Sequence, residues 1–262
     1  MGGRATRSGS AERLSDLDWY ARLAAFFGGL PENYLVFDCE TNGLAARSRQ
    51  TLPVDLGWCM VKGRVPVDVN SVLINWALHP DIDAGWFERS VNETALRMAE
   101  KGNPYVGWER LRDEGSDPRE IMPLFREFLT EAQDNNYWYA GHNHYGFDRP
   151  VVENATLTAT GDAFRFDYRR FLDSGMIYKA RITDFPIPEP GERAIFRWYE
   201  DVRGYVQYGK WKLSICLEQL GLVERHNIDL TKMHGAAQDC RCTHYVLEAF
   251  RDLAETGALQ PN

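Results

Sequence analysis

Tyr34-Leu35-Val36-Phe37-Asp38-Cys39-Glu40-Thr41 begins as a short apolar run and ends in two acids. Four consecutive apolar residues leading into polar ones read as a buried strand. Side chains alternate faces along a strand, so Asp38 and Glu40 point to one side and Cys39 to the other. Two carboxylates at the end of a central strand repel each other and are costly to bury without a cation. Two distant segments carry matching chemistry: Gly141-His142-Asn143 through Phe147-Asp148, and His234-Gly235-Ala236-Ala237-Gln238-Asp239. Four acids from three segments form an all-oxygen set suited to a hard divalent ion such as magnesium, which usually shares its ligands with substrate phosphates.

Together these residues resemble the DEDDh family of 3′–5′ exonucleases, which includes polymerase proofreading subunits, oligoribonucleases and single-strand DNA exonucleases. Phe37-Asp38-Cys39-Glu40-Thr41-Asn42-Gly43-Leu44 matches the first motif, and Gly141-His142-Asn143 with Phe147-Asp148 matches the second. His234, Ala236 and Asp239 match the third, with the His-x-x-x-x-Asp spacing that separates this branch from relatives using a tyrosine. The resemblance covers about residues 33–255, while 80–117 and 182–210 match nothing in the family. The spacer from Asn143 to Asp148 looks more like that of single-strand exonucleases and oligoribonucleases than that of proofreading subunits. The fold it implies is α/β and RNase H-like, a mixed central sheet of about five strands flanked by helices.

The implied activity is metal-dependent release of nucleoside monophosphates from 3′ ends, with single-stranded DNA favoured over RNA. Two divalent metals ~3.5–4 Å apart can activate water and clamp the phosphate of an in-line displacement. The implied cofactor is a pair of magnesium ions, with manganese as a substitute. Asp38 is the candidate to bridge both ions, being deepest on the central strand. The resemblance assigns Glu40 and Asp239 to the ion nearer the nucleophile and Asp148 to the second ion. His234 is the general-base candidate, because imidazole titrates near neutrality. A helix already begun at His234 would set it ~140° from Asp239, so Met233-His234-Gly235 is read as a mobile loop before the closing helix. By resemblance Thr41 helps hold the 3′-terminal nucleotide and Leu44 wedges against its base. Asn42, Gly43, Asn143 and Phe147 complete the substrate-binding candidates, with a structural role for Asn143 nearly as well supported. His142 and His144 are read as supporting or exposed residues. Rival readings are an RNA 3′-end trimming enzyme, a polymerase-associated proofreading subunit, a nucleotidase on the same metal site and a catalytically silent binding module. The expected partner is a single-stranded DNA or RNA 3′ end, with a polymerase or a second copy of the chain left open.

The chain has 262 residues, 44% hydrophobic and 26% charged, which bounds it to one large globular domain or a small one with insertions. Its net charge of −8 argues against tight, processive duplex binding, since proteins that grip long duplexes usually carry basic surfaces. Five cysteines, an odd number, and no signal peptide favour reduced thiols in a cytoplasmic setting. Cys240-Arg241-Cys242 lacks a partner pair at zinc-finger spacing. No apolar run reaches the ~20 residues needed to span a bilayer, so no membrane association is expected.

Residues 1–12 read as a disordered arm, and 13–262 as a single domain with insertions near 80–117 and 182–211. Expected helices are Leu14–Phe27, Pro118–Gln133 capped by Asp117, Arg149 to about Thr160, Trp211–Gly221 and Ala236–Ala254. Expected strands are 33–40, Pro53–Lys62, Val67–Leu78, Tyr137–Gly141 and Phe164–Leu172. In Pro118–Gln133, Ile121, Leu124, Phe125 and Phe128 are expected to share one face. Residues 80–117 look irregular, with two short amphipathic pieces. Aromatics interleaved with cations over 164–181 suit either a stacking surface for single strands or a half-buried strand. The 182–211 insertion, with Trp198, Tyr199, Tyr205, Tyr208 and Trp211, reads as a lid or a dimer contact.

Overall fold

Tyr34, Leu35, Val36 and Phe37 are all buried, which makes their strand the centre of the sheet. The computed structural model describes residues 14–45, 48–191, 194–205 and 211–259. The expected arm over residues 1–12 and Tyr208 of the insertion lie outside the described residues. In chain order the elements are α1 Asp16–Phe27, β1 Tyr34–Thr41, β2 Pro53–Lys62, β3 Val65–Leu73, α2 Ala84–Glu100, α3 Trp108–Glu114 and α4 Pro118–Asp134. There follow β4 Trp138–Gly141, α5 Asp148–Thr160, β5 Phe171–Asp173, α6 Ser174–Ile182 and α7 Ala194–Tyr205. The chain closes with α8 Leu213–Gln219, α9 Leu222–Arg225 and α10 Ala236–Thr256.

The sheet order is β3-β2-β1-β4-β5. β1 pairs antiparallel with β2, and β2 with β3, while β4 and β5 run parallel to β1. This is the mixed five-stranded sheet expected from the sequence. The two faces of β1 separate cleanly. Tyr34 hydrogen-bonds His244 of α10 at 2.8 Å, so the even-numbered residues, Asp38 and Glu40 among them, face α10. Phe37 packs edge-on to Phe125 of α4, which puts the odd-numbered residues on the opposite face. α1 seals the outside of α10, where Tyr20 stacks on Phe250 with ring centroids 5.3 Å apart.

Several elements differ from the sequence reading, each for a packing reason. β3 stops at Leu73, because Asn75 caps a single helical turn over Trp76–Leu78 and the Trp76 indole donates to the Pro53 carbonyl at 2.8 Å. Residues 80–117 hold a full seventeen-residue helix, α2, capped by Asp83 and burying Phe87, Val91 and Thr94 at helical spacing. The buried face of α4 is Met122, Phe125, Leu129 and Ala132, and Leu124 is exposed. β5 is only three residues long, since Asp167 accepts from the Arg169 backbone and turns the chain just before it. Phe164, Phe166, Phe171 and Tyr178 are buried, so they offer no stacking surface to a nucleic acid. α7 packs the insertion onto the domain through buried Trp198, Tyr199 and Val202. α8 begins at Leu213 rather than Trp211, and Gly221 follows it with a left-handed backbone. None of the five cysteines is in a disulfide, and all five are buried. Among the described residues, no helix is long and apolar enough to cross a membrane.

Candidate active site

β1 runs out of the core at its C-terminal end, and there Asp38 and Glu40 emerge on the α10 face. α10 reaches them because of Gly57, which pairs with Asp38 on β2. A Cβ at Gly57 would sit 2.3 Å from the carbonyl carbon of Ala236, so α10 begins in direct backbone contact with the sheet. That seat puts Asp239, in the first turn of α10, beside the β1 acids.

His234 stands in the loop before α10, as its spacing to Asp239 requires. Its backbone is left-handed at φ +74, an uncommon conformation for a non-glycine residue, and its N–H donates to Asp239 Oδ1 at 3.4 Å. The twist lets both side chains face Glu40, with His234 Nδ1 3.8 Å from Glu40 Oε1. Glu40, His234 and Asp239 each offer a ligand atom, all within 4.8 Å of one another, a group able to hold a metal ion.

Asp148 arrives from the other face as the first residue of α5 and is buried. Its Oδ1 accepts the Cys39 backbone N–H at 3.0 Å, locking it to β1 midway between Asp38 and Glu40 in sequence. The 142–147 turn that delivers it is organised by Asp173, at the end of β5. Asp173 accepts from the backbones of Asn143 at 2.9 Å, Tyr145 at 2.8 Å and Met176 at 3.0 Å. His142 bridges Ser174 and the Trp211 carbonyl, and burial lowers its pKa to about 4. His144 is wholly buried between Phe37 and Phe171, with Nδ1 3.7 Å from Asp148 Oδ2. Both histidines therefore support the turn, and neither is exposed.

Two acids escaped the sequence reading. Asp173 is one. The other is Asp55, which lies opposite Glu40 on β2 and accepts the Ala236 N–H at 3.2 Å, pinning the start of α10. Alternation along β2 places Asp55 on the face of Gly57, a signal visible only once the pairing of β1 with β2 is known.

Thr41 is buried, and its carbonyl accepts the Tyr105 hydroxyl at 2.7 Å. The Asn42 side chain holds the following loop, donating to Gln50 O at 3.2 Å and Ser90 Oγ at 2.9 Å and accepting from Leu52 N at 2.8 Å. Its amide is thereby committed to structure. Leu44 is 67% exposed, free to meet a ligand. Asn143 has a left-handed backbone at φ +60 and borders a cavity shared with Lys179, Arg203 and Trp211. Partly buried Phe147 caps α5 and packs against the core, and Gly43 lies in the loop between Asn42 and Leu44.

Burial and mutual repulsion dominate the electrostatics. Burial raises Asp38 well above the carboxylate range, and Asp148, Asp239, Glu40 and Asp55 push it further. Glu40 is raised to about 8 by burial, then by Asp239, Asp55 and Asp148. Asp239 is raised to about 7 by burial, against the opposing His234 N–H. Burial, then the charge of Lys212, lowers His234 below its usual value and favours the neutral ring. The consequence for stability has a definite sign. The metal-free folded chain keeps protons that the unfolded chain has released, so its stability is full below the ordinary values of 3.8 and 4.5 and falls as pH rises towards about 7 and about 8. The melting temperature in EDTA should fall across that window, and the rise on adding magnesium should grow with pH. A pH-independent magnesium effect would contradict the clustering of charge.

The fold has known counterparts. E. coli exonuclease I in complex with a 5cy-dT13 oligonucleotide superimposes with a TM-score of 0.54 at 13% identity, covering 86% of this chain and 41% of that one. The chain has the exonuclease I fold. A zinc-bound complex of E. coli exonuclease I with single-stranded DNA gives a TM-score of 0.55 at 12% identity over 87% of this chain and 42% of that one. A moderately thermophilic exonuclease I from Methylocaldum szegediense gives 0.55 at 16% identity, over 87% and 41%. The chain thus spans about two-fifths of the length of these proteins. No family model matches the sequence, and no curated protein is recognisably similar to it.

Proposed function

We propose that this protein is a metal-dependent 3′–5′ exonuclease of the DEDDh type, acting on single-stranded DNA in preference to RNA. The observation that carries the reading is the convergence of Asp38, Glu40, Asp148 and Asp239 with His234 at the C-terminal end of β1. The substrate preference rests on the fold, which is shared with exonuclease I proteins in complex with single-stranded oligonucleotides.

The donor set fits hard divalent cations. Its acids crowd each other enough that Glu40 and Asp239 stay partly protonated near neutrality, and positive charge would relieve this. Asp38, Glu40, Asp148 and Asp239 would hold two magnesium ions, with manganese as a substitute. Bound there, the ions would offset the charge of the phosphodiester and ease deprotonation of water. The chain's own residues do the rest. His234 turns Nδ1 towards Glu40, which leaves Nε2 to take the proton of the water attacking the terminal phosphorus. Asp148, fixed to the Cys39 N–H, holds the far side of the cluster rigid. Exposed Leu44 would wedge against the last base, carried on a 41–44 backbone braced by Tyr105 and Asn42.

The direct test is a 5′-labelled single-stranded DNA and a matching RNA incubated with the protein and magnesium and resolved on a sequencing gel. A ladder shortening from the 3′ end supports the reading, with the DNA ladder the faster. No shortening of either strand, with magnesium or manganese, would sink it. His234→Ala should slow single-turnover cleavage by ~10²–10⁴-fold, the usual worth of a positioned base. The magnesium-dependent rise in melting temperature should survive that change. A loss below about tenfold would remove His234 as the base.

A further inference from the structure

Beside Asn143 lies a cavity of about 470 Å³ lined by Asn143, Met176, Lys179, Glu200, Arg203 and Trp211, with Gly204. Its cations are placed against their own interest. Lys179 is 4% exposed. Its ammonium donates to the Arg203 carbonyl at 3.2 Å and stands 4.6 Å from the centre of the Trp211 ring. Among the described residues no carboxylate hydrogen-bonds or ion-pairs with it. Burial, and then the charge of Arg203, lower its pKa, and the charge of Asp173 offsets this only in part. Taking an ammonium out of water is costly unless an anion meets it.

Arg203 covers the turn that carries Asp148: a Cβ at Gly146 would lie 3.9 Å from its Cζ and Nε. Among the described residues it meets one acid, Glu200 at 4.0 Å, a carboxylate that also interacts with the Tyr145 hydroxyl. Lys212 is exposed and follows directly after Trp211 of the cavity wall. The Trp211 carbonyl accepts from His142, so this wall is tied to the same turn. Lys179 and Arg203 thus share a cavity with Asn143, beside the turn that carries Asp148, and Lys212 continues its Trp211 wall. They do so in a chain of net charge −8, in a segment outside the sequence motifs.

We propose that Lys179, Arg203 and Lys212 form an anion track that binds phosphates of the single strand upstream of its scissile 3′-terminal bond. The track rests on the exonuclease reading and adds to it the grip on the strand. Acids that hold cations can serve only the terminal phosphate. Neighbouring phosphates need positive charge from the protein, and here α6, the insertion helix α7 and the start of α8 supply it. Glu200 restrains Arg203 over the turn when no strand is present.

The test is binding of 5′-fluorescein-labelled oligo(dT) in EDTA, where no cleavage runs, as a function of salt. It is paired with magnesium-supported cleavage of the oligomer and of thymidine 5′-monophosphate p-nitrophenyl ester, which has a single phosphate. Lys179→Gln and Arg203→Gln should each weaken oligomer binding by about tenfold. Each should lower the slope of log affinity against log salt by ~0.7, the value for one phosphate contact on a single strand. Arg203 is partly exposed at 39%, so its variant tests the idea even if the buried Lys179 change impairs folding. Cleavage of the one-phosphate ester should be unchanged in both. Arg126→Gln removes an equal charge at the far end of α5, where Arg126 pairs with Asp162, and should leave the salt slope alone. Wild-type slope and affinity in both track variants, with the wild-type chain binding and cleaving the oligomer, would overturn the track and leave the exonuclease standing. A wild-type chain that neither binds nor cleaves the oligomer would overturn the exonuclease reading and the track together.

Discussion

Asp38→Ala is expected to abolish 3′-end cleavage, lowering the rate by ~10⁴-fold or more, as is typical when one member of a site acting as a unit is removed. Asp38 feels Asp148, Asp239, Glu40 and Asp55 together, which marks it as the acid common to every part of the cluster. The same crowding gives the variant a second signature. Removing one of several mutually repelling, partly buried acids relieves the metal-free protein, so Asp38→Ala and the near-isosteric Asp38→Asn should both melt higher than wild type in EDTA. Both should lose most of the stabilisation that magnesium provides. Lost activity with higher metal-free stability is the trade expected of a residue kept for chemistry. Near-normal cleavage by either variant would refute the metal-site assignment.

Gly57→Ala is expected to damage the site from underneath it. The added methyl would lie 2.3 Å from Ala236 C, 2.5 Å from Ala236 O and 2.5 Å from Ala237 N. All three are backbone atoms, so no rotamer change can make room. Either α10 lifts from β2 or the pairing of β1 with β2 distorts. Overpacking of this kind costs ~1–3 kcal/mol. Lifting α10 would also stretch the Asp55 to Ala236 hydrogen bond and carry Asp239 and His234 away from Glu40. A misplacement of about 1 Å can cost ~10²-fold in rate, so cleavage should fall by at least that much. Gly85→Ala is the matched control: within α2 its new methyl would meet only side-chain atoms, the nearest at 3.4 Å, and the rate should hold. A Gly57→Ala protein with wild-type melting and wild-type rate would show that the close seat of α10 is dispensable.

The parts of this fold that were legible beforehand are those written within a few residues. Alternation along Tyr34–Thr41 put Asp38 and Glu40 on one face, and Tyr34 of the same face meets α10. Asp117 caps α4 through the Arg119 N–H at 2.8 Å. The impossibility of sharing a site from one helical turn placed His234 ahead of α10, where its left-handed backbone delivers it to Glu40. Misreadings came where a neighbour outvoted the local pattern. Spacing groups Leu124 with Phe125 on one face, yet the phase of α4 is set by Met122, Phe125 and Leu129 against the sheet. Phe164 and Phe166 looked like alternating strand residues, but both enter the core from irregular chain.

The strand, its acid pair, the helix caps and the placement of the third motif followed from the amino-acid sequence because each depends on covalent neighbours, backbone hydrogen bonds and alternation. Tertiary contact alone decided that Asp173 braces the Asp148 turn, that Asp55 pins α10, that Gly57 must lack a side chain and that Lys179 and Arg203 share a cavity with Asn143. Those residues lie tens to nearly two hundred positions from their partners. No local periodicity records such a meeting, because it is set by which faces pack when the sheet closes. Where four acids from β1, α5 and α10 meet is a property of that packing.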